Sequence, residues 1–90
     1  MPMYVIEREI SNAGKLTDEE WSAISQTSNA ILRQLGPDVQ WIESFVTDNK
    51  VYCVYIAANE DLIREHARLT EFPANMVSAV GRVINPTTAE

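Results

Sequence analysis

His66 is the only side chain in this 90-residue sequence whose unperturbed pKa lies near neutrality. An imidazole can shuttle a proton or ligate a divalent transition metal. No second histidine and no cysteine stands at ligand spacing from it, so a metal would need carboxylates or a second copy of the chain, which brings a second His66. Glu7 and Glu43 are the candidate carboxylates, because both fall in segments otherwise rich in apolar β-formers. His66, Glu7 and Glu43 therefore form the candidate metal set. The plainer alternatives are a hydrogen-bonded core histidine and carboxylates paired with Arg8, Arg64, Arg68 or Arg82. An acid buried without such a partner would have a raised pKa and could serve as a base.

Trp41 and Tyr55, with Glu43 and Glu7 nearby, make a second candidate site. Aromatic rings combine a large apolar area with a polar edge, which suits a small-molecule pocket, and Tyr52 could join them. The competing reading is that these aromatics fill an interface. Cys53, the single cysteine, can form no internal disulfide and no Cys-x-x-Cys knuckle, and reads as an inert core thiol. There is no glycine-rich phosphate loop, no Gly-x-Ser-x-Gly elbow and no His-Glu-x-x-His, so the common nucleotide-binding and hydrolase classes lose support.

Seven basic residues against thirteen acidic ones give a formal charge of −6, and the basic residues are scattered along the chain. That disfavours nucleic acid and anionic membrane surfaces as partners. No apolar run is long enough to span a bilayer and no basic stretch precedes a signal core, which leads to a cytoplasmic expectation.

The elements that must position these residues follow from the pattern. Met3 to Ile10 read as a strand, ended by Asn12-Ala13-Gly14. Thr17 and Glu20 form a capping box opening a helix whose apolar or small positions Trp21, Ile24, Ser28, Ile31 and Leu35 recur at intervals of three, four, three and four. Gly36-Pro37 stops it. Val39 to Thr47 and Val51 to Ala58 flank Asp48-Asn49 as a hairpin. Asn59 caps a second helix carrying Leu62, Ile63, His66, Ala67 and Leu69 on one side, closed by Phe72-Pro73. Val77 to Ile84 supply the last strand, broken by Asn85-Pro86. The order is β-α-β-β-α-β, an α+β chain in one domain over residues 1–86, with 87–90 a flexible tail.

Three of the strands carry apolar residues on both parities: Met3 and Val5 against Tyr4 and Ile6, Trp41 and Phe45 against Ile42 and Val46, Cys53 and Tyr55 against Tyr52, Val54 and Ile56. A sheet with one wet face would alternate apolar with polar. Two helices cover only one face, so the other is expected to pair with a second copy as a symmetric homodimer, with any aromatic-lined pocket lying between sheet and partner.

The segments YVIEREI, SNAILRQLGPDVQWIESFVTDNKVYCVYIA, EDLIREHARLTEFPANMVSAV and VINPTTAE resemble a bacterial family of small ferredoxin-like proteins, over nearly the whole chain. The family is known mainly as a domain of unknown function, and some relatives are described as nickel-binding or nickel-responsive. The resemblance implies a ferredoxin-like sandwich, an antiparallel four-stranded sheet with two helices on one face, and a dimer through the other. It implies nickel as the metal for a site including His66. Two functions follow as expectations: a small cytoplasmic binding protein that holds nickel or another divalent transition metal, or a cofactor-free enzyme or small-molecule carrier with an aromatic-lined pocket.

Overall fold

The computed structural model describes residues 1–90. Strand β1 (Met3–Glu9) is followed by a 3-10 turn over Ala13–Lys15, helix α1 (Asp18–Leu35), strands β2 (Val39–Val46) and β3 (Lys50–Ala57), helix α2 (Glu60–Thr70) and strand β4 (Met76–Ala79). The strands form one antiparallel sheet in the order β2-β3-β1-β4. This is the α+β arrangement expected from the element order, and the ferredoxin-like sandwich that the family resemblance implies. Both helices lie against the same sheet face, and no helix is long and apolar enough to cross a membrane.

Local chemistry sets the element ends. The Thr17 hydroxyl accepts from the Glu20 amide at 3.1 Å while the Glu20 carboxylate accepts from the Thr17 amide at 3.1 Å, so two amides without helical partners are satisfied. At the other end Gly36 takes φ 89°, a conformation other residues reach only with strain. Gly14 has a different reason to be glycine. It donates to the Asp48 carbonyl at 3.1 Å, and a Cβ there would sit 3.0 Å from the Asp48 Cα, so the turn after β1 rests directly on the β2–β3 turn. Asn59 caps α2 by accepting from Leu62, and α2 ends at Thr70 with Glu71 left-handed at φ 63°, just before the expected Phe72-Pro73 stop.

Two expectations are corrected. The last strand covers Met76–Ala79 rather than Val77 to Ile84. It pairs only with β1, which begins at Met3. The Val80 amide takes the Met3 carbonyl at 2.8 Å, and beyond it there is no strand left to pair with. The second correction concerns parity in β2. A bulge between Trp41 and Glu43 breaks the alternation, so that Trp41 pairs with Tyr55 and Ser44 with Cys53 on the helix side, while Glu43 and Phe45 pair with Val54 and Tyr52 on the open side. Trp41 and Phe45, expected to share a face, lie on opposite ones.

The helix side of the sheet presents Tyr4, Ile6 and Arg8 from β1 and Val51, Cys53, Tyr55 and Ala57 from β3, all buried, and Ile63, His66 and Ala67 of α2 close over them. The open side presents Met3, Val5 and Glu7 beside Tyr52, Val54 and Ile56, with Phe45 and Met76 more than half exposed.

Candidate functional site

A cavity of about 210 Å³ lies between the helix side of the sheet and the helices. Its walls are mostly apolar, with Trp21 and Ile24 from α1 facing Trp41, Val46 and Val51 from the sheet. One continuous line of polar groups runs through it. Arg8 Nη2 donates to the Tyr55 hydroxyl at 3.4 Å, that hydroxyl lies 3.4 Å from His66 Nδ1, and His66 Nε2 lies 3.0 Å from Ser28 Oγ. All four residues are buried. Tyr55 accepts from an obligate donor, while the phenol and Ser28 hydroxyls can each donate or accept, so the neutral imidazole is matched at both ring nitrogens in either tautomer.

Each member is delivered by an ordinary local feature. Arg8 shares the inward parity of Tyr4 and Ile6, Tyr55 that of Cys53, and Ser28 is the polar position in the apolar stripe of α1. His66 stands between Ile63 and Ala67 on the buried side of α2, its ring centroid 5.5 Å from that of Tyr55. Trp41 is held by its Nε1 donating to Ser44 Oγ at 2.9 Å across the bulge, which turns both residues into the cavity.

The electrostatics of the cavity are simple. Burial, and then the neighbouring Arg8 guanidinium, lower the His66 pKa to about 4, so the ring is neutral at neutral pH. Burial raises the Tyr55 pKa, and its phenol stays protonated. Arg8 is 4% exposed and is the one fixed charge. Its Nε contacts Cys53 Sγ at 3.4 Å and its Nη1 donates to the Pro73 carbonyl at 3.0 Å, but no carboxylate pairs with it.

Of the residues expected to form sites, the cavity brings together Trp41, Tyr55 and His66. The pocket they line is inside the subunit, under the helices, rather than between the sheet and a partner. Tyr52 faces the open side. Glu7 and Glu43 lie on the open side too, Glu7 3.4 Å from Lys50 Nζ and Glu43 exposed, so neither reaches His66 within the subunit. No group of three or more His, Cys, Asp or Glu side chains converges anywhere in the fold. The donor set around His66 does not fit a nickel ion: both ring nitrogens are engaged, and a guanidinium occupies the same cavity.

Arg8 and Ser28 are the site residues that sequence reading does not single out. The available signal was a cation on the parity of Tyr4 and Ile6 and a hydroxyl in an apolar helix stripe. With both strand parities apolar, nothing in the sequence says which one is inside.

Residues 4–80 match the family described as nickel responsive protein SCO4226-like. Among solved structures, the crystal structure of SCO4226 from Streptomyces coelicolor A3(2) shares the fold with a TM-score of 0.77, at 10% identity, over 91% of this chain and 99% of that one. No curated protein sequence matches the chain.

Proposed function

This chain belongs to the SCO4226-like family of nickel responsive proteins, and on that premise we propose that it is a small-molecule-binding protein whose working part is the cavity under the sheet. The observation that carries this reading is the coincidence of an apolar cavity with a continuous line of buried polar groups, which is the composition of a ligand site rather than of a packing fault. A cavity of about 150 Å³ suffices for benzene, so this one has room for a single ring or a short chain.

Binding suits the geometry better than catalysis. A general base works best with a pKa near the ambient pH, and His66, with a pKa of about 4, is a weak proton acceptor at neutral pH. Nickel is not assigned to His66, for the reasons of donor set and charge already given.

The proposed working unit is a homodimer through the open sheet face. Accessible surface amounts to 6016 Å² for a chain of 10.1 kDa, roughly 700 Å² more than a folded monomer of this mass exposes by the usual scaling. A standard interface buries about 800 Å² from each partner. Val5, Tyr52, Val54, Ile56, Phe45 and Met76 offer a contiguous apolar face for it, and two copies of one such face would pair about a two-fold axis.

Both tryptophans of the chain line the cavity, so their emission reports on its contents directly. In a screen of single-ring and short-chain compounds, bound ligands are expected to change tryptophan emission and raise the melting temperature together. Ile24→Phe, which fills the cavity from α1, is expected to weaken the same compounds at least tenfold. A broad library that moves neither signal removes the reading.

A further inference from the structure

The unexplained feature of the cavity is the charge on Arg8. A buried guanidinium without a counter-charge is costly, because desolvation of an ion amounts to several kcal/mol and neutral partners return only part of it. Its three partners are all neutral: the Pro73 carbonyl at 3.0 Å, the Cys53 thiol at 3.4 Å, a weak acceptor, and the Tyr55 hydroxyl at 3.4 Å, which is long for an N–H···O bond. Arginine has five N–H donors and these contacts use three, one on each nitrogen, which leaves one hydrogen on each terminal nitrogen. Unused guanidinium hydrogens are donors that a carboxylate accepts with charge assistance.

Anchoring the segment after α2 does not account for the charge, since a neutral amide could donate to Pro73 equally well. The protein's ion pairs, Lys50 with Glu7, Arg64 with Glu60 and Arg68 with Glu65, all lie on the outside and involve other residues. No acidic residue lines the cavity, and His66 and Tyr55 are neutral there. The cavity thus holds one positive charge, hydroxyl groups and an apolar wall.

Resting on the ligand-site reading above, we infer that the ligand is a small apolar monocarboxylate, its carboxylate on the Arg8 guanidinium and its ring or chain against Trp21, Ile24, Trp41 and Val51. A single charge on each side closes the electrostatic balance. A phosphate dianion would leave a buried negative charge unmatched, and a metal cation would add to the existing positive one.

The test compares benzoate, phenylacetate and octanoate with their uncharged amides at pH 7.5, by tryptophan emission of the full chain. At least one acid is expected to bind ten times or more tighter than its amide, and phenyl phosphate no tighter than the amides. Arg8→Gln is expected to abolish the acid preference, each acid then binding no tighter than its amide. Arg8→Lys, which keeps the charge but loses the fork, is expected to keep a reduced preference. Equal binding of acids and amides by the wild type overturns the monocarboxylate inference and leaves the cavity reading standing. Tighter binding of phenyl phosphate than of every acid overturns it in favour of a phosphate ligand. Binding of neither acids nor amides overturns both. The wild-type comparison decides even where a variant fails to fold.

Discussion

His66 links the site to stability. The unfolded histidine protonates near pH 6.5, whereas the buried ring beside Arg8 stays neutral until about pH 4. Between those values the unfolded state binds more protons, so stability falls as the pH falls. The contribution is complete above pH 6.5 and is lost on the way down to pH 4, amounting to up to about 3 kcal/mol. In His66→Gln this part of the acid limb is expected to vanish, leaving a urea midpoint that changes less between pH 7 and pH 4.5 than that of the wild type. Parallel acid limbs in the two proteins would mean that the ring is not held neutral. The same variant is expected to bind Ni²⁺ as the wild type does by calorimetric titration, since both nitrogens of the native ring already face Tyr55 and Ser28.

The elements are held by short-range chemistry whose strength can be measured one position at a time. Gly14 brings the turn after β1 against the β2–β3 turn so closely that an added methyl meets the Asp48 backbone, which cannot swing aside as a side chain would. Gly14→Ala is expected to destabilise the protein by about 1–3 kcal/mol, the usual range for overpacking. Gly81→Ala, where nothing lies within 4 Å, is the control and should cost well under that by chemical denaturation. Much of this level was legible in advance: the capping box at Thr17 and Glu20, the Gly36 stop and the Asp48-Asn49 turn all act within four residues. The bulge in β2 was not. It depends on how Trp41 and Ser44 meet across the strand and on which residues of β3 lie opposite, and neither is a property of the local sequence.

For the whole molecule, the open sheet face is the feature with the largest consequence. Phe45 is 54% exposed there, next to Tyr52. Phe45→Lys is expected to shift the mass in sedimentation equilibrium from about two chains toward one, while the cavity in each subunit still binds its ligands, because Phe45 does not line it. Tyr55→Lys, by contrast, should unfold the subunit, because it places a charge beside Arg8 in the core on the helix side of the sheet. A wild type that sediments as a monomer at high micromolar concentration, with a melting temperature independent of dilution, would rule out the dimer.

The sequence by itself determined the element order, the element starts and the presence of apolar residues on both strand parities, because capping, turn chemistry and periodicity act over a few neighbouring residues. It also brought Trp41, Tyr55 and His66 into consideration on side-chain chemistry alone. Only the tertiary structure decided that Glu7 and Glu43 lie across the sheet from His66, that β4 stops at Ala79 where β1 runs out, and that Arg8 and Ser28 complete the site. These outcomes follow from strand register and from which sheet face the helices cover. Two parities of similar hydrophobicity leave that choice undetermined along the chain, and it is settled only when Arg8, Tyr55, His66 and Ser28, far apart in sequence, satisfy one another inside the fold.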